Sequence, residues 1–133
     1  MAKLGAGSLA QLATCHPDLQ RLVKEVVRRL PAHLDLKVIQ GWRSSKEQAA
    51  AYASGASEKP PGTSKHELSP ARAVDMALYP VRWKDEIMFG YLAGIVALVA
   101  AELGIAIRWG GDWDTDGDTL EHTFRDLDHW ELA

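Results

Sequence analysis

The sequence predicts an α+β fold, a small and largely antiparallel sheet with flanking helices, in a single domain over residues 1–133. Three observations lead there. Segments of helical and of strand periodicity follow one another in mixed order. A length of 133 residues with 47% hydrophobic content suits one packed core. No repeat, linker or low-complexity block divides the chain.

Ser8 is a candidate N-cap for a short first helix through Ala13. Pro17 suits the first turn of a second helix, which runs to about Leu30 and stops at Pro31. Its Leu19, Leu22, Val23, Val26, Val27 and Leu30 recur at intervals of three and four, one apolar face. Leu34 to Trp42 alternates loosely around Val38 and Ile39 and reads as a strand. Ser44 or Ser45 caps a short helix, Lys46 to Ala53, and Ser45-x-x-Gln48 fits a capping box. Gly55 to Thr63 reads as a loop and a candidate cleft rim.

Ala71 to Tyr79 reads as a central strand ended by Pro80. Ala73, Asp75 and Ala77 share one face; Val74, Met76 and Leu78 share the other. A long helix follows from about Trp83 to Leu103, with Gly104 as its C-cap. Ile105 to Trp109 is a short strand and Gly110 to Glu121 a polar loop. His129 to Leu132 is the last strand, with His129 and Glu131 on one face.

Composition narrows the function classes. Charged residues make up 25% and the formal charge is −3, so no basic footprint for nucleic acid is present. The one cysteine, Cys15, cannot form an internal disulfide. Its neighbour His16 does not make a thiol-protease pair, because adjacent residues on a helix do not face each other. The stretch Met1 to Gly7 lacks the apolar region of a secretory signal. The most apolar run, Ile87 to Ala101, falls short of the roughly 20 residues of a membrane span. It reads as a buried core helix, with no stable membrane insertion expected.

The chemistry gathers at two segments. Ser64-Lys65-His66 leads through a Ser69-Pro70 turn to Asp75, and the chain closes on Asp126-Leu127-Asp128-His129-Trp130-Glu131-Leu132. Two imidazoles, one strand-borne carboxylate and a further nearby carboxylate form the inventory of a zinc hydrolase. A carboxylate on a central strand between alanines is costly unless it is paired or metal-bound. The alternative for Asp75 is a salt bridge with Arg72 or Arg82; for His129 it is a satisfied core histidine. Asp112-x-Asp114-x-Asp116-Gly117-Asp118 matches the first half of an EF-hand loop, although its twelfth position is Thr123. It is a candidate second ion site, for calcium, with a solvated loop as the alternative. His122 could replace His129 as a ligand, or line the cleft. Trp109, Trp113 and Trp130 are candidate cleft aromatics, with buried core aromatics as the default reading.

Together these segments resemble the zinc-dependent D,D-carboxypeptidase and L-alanyl-D-glutamate peptidase group, peptidase family M15, with its Hedgehog/D,D-peptidase fold. The carriers are Ser-x-His, the strand ending Ala-x-Asp, and Asp-x-x-His-Trp-Glu-Leu. Gly41-Trp42-Arg43-Ser44 and Trp109-Gly110-Gly111-Asp112-Trp113 appear in the expected order, so the likeness covers about residues 36 to 132. It implies zinc on His66, Asp75 and His129, with Asp126 as the catalytic carboxylate and Arg43 as substrate and oxyanion contact. Ser64, His122 and Trp109 are further candidate substrate contacts. Asp128 is a rival base, expected to point to the other sheet face.

The chain departs from the commoner form in two ways. Nine positions separate His66 from Asp75, a spacing shared with phage-type members, and Asp126 stands where many members carry Glu. The resemblance implies hydrolysis of an amide bond in the peptidoglycan stem peptide by a monomer of the phage endolysin type. Such an enzyme would reach the periplasmic wall from the host bacterial cytoplasm through a separate permeabilising protein. A D,D-carboxypeptidase or D-Ala-D-Ala dipeptidase, and a non-catalytic zinc-binding module on the same fold, are the alternatives.

Overall fold

A computed structural model describes residues 3–120 and 124–133. Four helices, α1 (Ala6–Leu12), α2 (Pro17–Arg29), α3 (Ser45–Ala53) and α4 (Glu86–Leu103), accompany four strands, β1 (Asp35–Gln40), β2 (Ala73–Tyr79), β3 (Ile107–Gly110) and β4 (Asp126–Leu132). The strands form one sheet in the order β1-β2-β4-β3, every neighbouring pair antiparallel. The α+β architecture expected from the mixed order of elements is the one observed.

Sheet alternation divides the molecule. Leu36, Val38, Val74, Met76, Trp130 and Leu132 join α2 and α4 in the core. Leu19, Leu22, Val23 and Val26 of α2 are fully covered, each contributing about 1.5–3 kcal/mol of burial. The register sets Asp75 opposite His129 and Ala73 opposite Glu131 on the other sheet face. Three polar side chains thereby reach one patch of the sheet face turned away from the core.

The ends of several elements differ from expectation, each for a local reason. The first helix starts at Ala6 with Gly5 as N-cap, so Ser8 lies inside it. Its buried hydroxyl accepts a hydrogen bond from Val38 N at 3.0 Å, tying α1 to β1. Ser44, not Ser45, caps α3, and its capping-box partner is Glu47 rather than Gln48. The long helix begins at Glu86 because the Asp85 carboxylate accepts from Met88 N. It ends where Gly104 takes a left-handed conformation at φ 70°, which costs glycine little. β4 begins three residues before His129, and its pairing with β3 is irregular between Trp109 and Gly110.

By length and mean hydropathy α4 could cross a membrane. In the fold its Phe89, Leu92, Ala93, Val96, Val99 and Ala100 are buried, while Ile87, Tyr91 and Leu98 stay exposed.

Candidate metal centre and active-site cleft

His66, Asp75 and His129 come from three places in the chain and meet at one point. His66 sits on a single 3₁₀ turn, Lys65–Glu67, closed by a capping box. Ser64 Oγ accepts from His66 N at 3.2 Å, and Glu67 accepts from Ser64 N at 3.2 Å. This is the work the structure gives Ser64, which also lines the cleft. Asp75 and His129 are a cross-strand pair. His66 Nε2 lies 3.2 Å from Asp75 Oδ1 and 3.3 Å from His129 Nδ1; His129 Nδ1 lies 3.1 Å from the same Asp75 oxygen. Relative exposures are 1%, 7% and 8%, so water does little to satisfy them.

These distances can be tested against zinc. Bonds of about 2.0–2.1 Å in a tetrahedron set ligand atoms roughly 3.3 Å apart, as found here. The outer ring nitrogens are engaged as well. His66 Nδ1 is 2.7 Å from the Gly41 carbonyl and His129 Nε2 is 3.0 Å from Glu131 Oε1. Each outer nitrogen therefore carries its proton towards an oxygen. Both inner lone pairs then face one another and a carboxylate, an arrangement that needs a cation at its centre. The residues fit the metal.

The surrounding charges follow from packing. Burial works against ionisation of Asp75, but the facing His66 and His129 overcome it and hold the carboxyl far below its usual range. Burial likewise opposes charge on His129; contacts with Asp75 and Glu131 reverse this and raise it to about 10 in the metal-free arrangement. Glu131 is lowered to about 2, burial being outweighed by His129 and Lys65. Burial, the Asp75 charge and a hydrogen bond with Asp126 push Asp128 up to about 9.

The centre opens into a cavity of about 670 Å³, bordered by the 56–59 loop, Ser64, Arg43, Trp113, Phe124, Asp126 and Asp128. Asp126 Oδ2 is 3.9 Å from His129 Nδ1. Gly110 pairs with Asp126, and a Cβ there would lie 2.0 Å from the Asp126 carbonyl oxygen, so this close approach requires glycine. The irregular pairing breaks strict alternation along β4. Asp128 therefore borders the same cavity as Asp126 instead of pointing to the opposite sheet face.

Arg43 donates to Gln48 Oε1 at 2.8 Å and to Asp75 Oδ2 at 3.4 Å. Gln48 is fully buried and also donates to Ser57 Oγ and the Lys59 carbonyl. It thus fixes both the guanidinium and the cleft rim, a role its place in a short helix did not reveal. Glu131 was visible to the sequence as a same-face neighbour of His129, but not as its hydrogen-bond partner.

Of the three tryptophans, Trp109 and Trp130 take the core reading. Trp109, half-buried against the core, stacks on Trp130 at 5.8 Å and donates to the Leu127 carbonyl. Trp113 does border the cavity, stacked on Phe124 and tilted over His129. In the aspartate loop, Asp112, Asp114 and Asp116 bring carboxylate oxygens within 4.8 Å of one another. Asp118 instead turns an oxygen to Leu120 N at 2.9 Å. His122, with Glu121 and Thr123, lies outside the described residues. Cys15 is buried, and burial pushes its thiol up to about 11, so it is an unreactive core group.

The comparisons with known proteins agree with this geometry. The chain is 34% identical over 138 residues to the L-alanyl-D-glutamate peptidase of Escherichia phage T5, covering 98% of each sequence. It superposes on the crystal structure of the L-Ala D-Glu endopeptidase ChiX of Serratia marcescens with a TM-score of 0.76 and 28% identity, over 100% of this chain and 90% of that one. The family model described as phage L-alanyl-D-glutamate peptidase matches residues 1–133. The chain belongs to the phage L-alanyl-D-glutamate peptidase family.

Proposed function

We propose that this protein is a zinc-dependent endopeptidase that hydrolyses the L-alanyl–D-glutamate bond of peptidoglycan stem peptides. The observation that carries this reading is the meeting of His66, Asp75 and His129 at zinc-ligand spacing on the wall of an open cleft. A zinc ion held there supplies Lewis acidity and a nucleophile at neutral pH. Asp126, beside the inward nitrogen of His129, accepts the proton of the attacking water and delivers it to the departing amine. Asp128, whose carboxyl is pushed up by burial, the Asp75 charge and its hydrogen bond with Asp126, steadies Asp126. Arg43, oriented by Gln48, donates to the oxyanion that develops on the scissile carbonyl.

Digestion of purified peptidoglycan with mass spectrometry of the products tests the reading. New N-terminal D-glutamate is expected. Released D-alanine in its place would make the protein a carboxypeptidase, and zinc content without hydrolysis would make it a binding module.

Calcium is the proposed occupant of the Asp112–Asp116 cluster, on the strength of its EF-hand spacing and converging carboxylates. The enzyme acts as a monomer, without nucleic acid or stable membrane insertion. It reaches the wall from the host cytoplasm through a separate permeabilising protein.

A further inference from the structure

Beyond the metal centre, the cleft carries a pair of cations that the hydrolytic steps do not use. Lys65 Nζ and Arg108 Nη1 both contact one oxygen of Glu131, at 3.1 and 3.3 Å. The other Glu131 oxygen holds His129 Nε2 at 3.0 Å. Lys65 also donates to the Leu132 carbonyl, which anchors it to the end of β4. Glu131 is buried, with its side chain 9% exposed, but Lys65 and Arg108 keep 31% and 39% exposure, and all three border the cavity. Two cations on one carboxylate leave a net charge of +1 in the cleft wall, beside a metal ligand. Arg43, by contrast, is already directed to Asp75 and Gln48.

The substrate has an anion to match. A glutamate joined to alanine through its amine has two carboxyl groups, and the peptide can continue through one of them only. The other is a free carboxylate, unless amidated, on the leaving side of the scissile bond. The cations stand behind a metal ligand on the same cavity wall. From the inward nitrogen of His129 to the cations the path is one imidazole ring, a 3.0 Å contact, one carboxylate and a contact of 3.1 or 3.3 Å.

We propose that Lys65 and Arg108, braced on Glu131, form the subsite that receives the free carboxylate of the substrate's glutamate. The proposal rests on the endopeptidase reading above and names the group that gives it specificity. A subsite built for a charged, hydrogen-bonded group rejects the analogue lacking it much more strongly than an apolar pocket rejects a missing methylene. The chain should therefore discriminate between stem peptides with a free glutamate carboxylate and those in which it is an amide.

The experiment uses the zinc-loaded protein and two synthetic stem peptides that differ only in that carboxylate or carboxamide. Wild type is expected to favour the carboxylate peptide in kcat/KM by about 10-fold or more, mostly through KM. Arg108→Gln and Lys65→Gln should each reduce that ratio towards one, and Arg108→Lys should restore most of it. Lys59→Gln, which removes a cleft cation that lacks the Glu131 brace, should keep the ratio. Zinc content and melting temperature, measured on each variant, separate substrate selection from damage to the centre. Calorimetry with the D-glutamyl product and its amide reads the same preference without turnover. Equal cleavage of both peptides by wild type, or an undiminished ratio in both glutamine variants, overturns the subsite alone. A ratio lost in Lys59→Gln instead moves the carboxylate to the rim and also overturns it. No cleavage of either peptide at the alanyl–glutamate bond overturns the endopeptidase reading and the subsite together.

Discussion

Among the described residues, metal-capable side chains come together twice, by opposite means. At His66, Asp75 and His129 the donors lie on paired strands and a capped turn, are buried, and have their outer atoms held by Gly41, Arg43 and Glu131. At Asp112, Asp114 and Asp116 they lie on an exposed loop. There Asp112 accepts from Asp116 N and Gly117 N, and Asp116 accepts from Asp118 N. In the first group the fold has already met the cost of convergence, since two donors are paired across the sheet and the third is held on its capped turn. In the second, local hydrogen bonds shape the loop and solvent screens the carboxylates. The difference teaches that proximity alone does not preorganise a centre; burial and a supporting second set of hydrogen bonds set the zinc site apart from the exposed aspartate loop.

The sharpest way to break this contrast is to delete one donor from each group. His66→Ala should abolish zinc binding and peptidase activity, while Asp114→Asn should leave zinc content at one ion per chain; metal analysis of the two purified variants decides. Removing the base comes next. Asp126→Asn should lower kcat by roughly 10²–10⁴-fold, the range of a general base, with zinc retained. Full activity in that variant would move the base to Asp128.

Acidity and alkalinity probe the hydrogen bonds behind the centre in the metal-free protein. Glu131 is lowered from 4.5 to about 2, so its contribution is present above pH 4.5 and lost as pH falls towards 2. That loss should be on the order of 3 kcal/mol. His129 is raised from 6.5 to about 10, so its share is complete below pH 6.5 and lost as pH rises through 10. Denaturant melts after zinc removal should therefore lose stability below pH 4.5 through Glu131 and above pH 6.5 through His129, with Asp128, raised from 3.8 to about 9, adding to the alkaline loss from about pH 4 upwards. Zinc should flatten the alkaline side, because it takes the place of the proton on His129 Nδ1. A profile without either decline would contradict the pairing of His129 with Glu131.

Smaller effects sharpen the contrast. Glu131→Gln keeps the shape of the brace but removes its charge, and should weaken zinc by about 10- to 100-fold in chelator competition. Calcium should raise the melting temperature by a few degrees, as expected for about 1 kcal/mol of linkage. Asp112→Asn should erase that rise. A wild-type protein indifferent to calcium in both melting and activity would leave the loop as a solvated turn.

Much of this was legible in the residues. Period-2 alternation placed Asp75 on the face opposite Val74 and Met76, and the same rule placed Glu131 beside His129. The rule failed at Asp128, because the irregular pairing of β4 with β3 interrupts the alternation on which it depends. For Trp109 both a cleft and a core reading stood open, and the structure takes the core one. An aromatic beside a glycine pair looks the same in sequence whether it opens on a cleft or stacks on Trp130.

The sequence by itself determined the donor types, their order and the amphipathic elements that carry them, because these depend on residue identity and on contacts a few positions away. Only the tertiary structure decided that Asp75 faces His129, that Gln48 holds Arg43, and that Lys65 and Arg108 share Glu131. Those are contacts between distant segments. They exist because strand register and the packing of helices on the sheet fix where each chain segment lies, which no local pattern encodes.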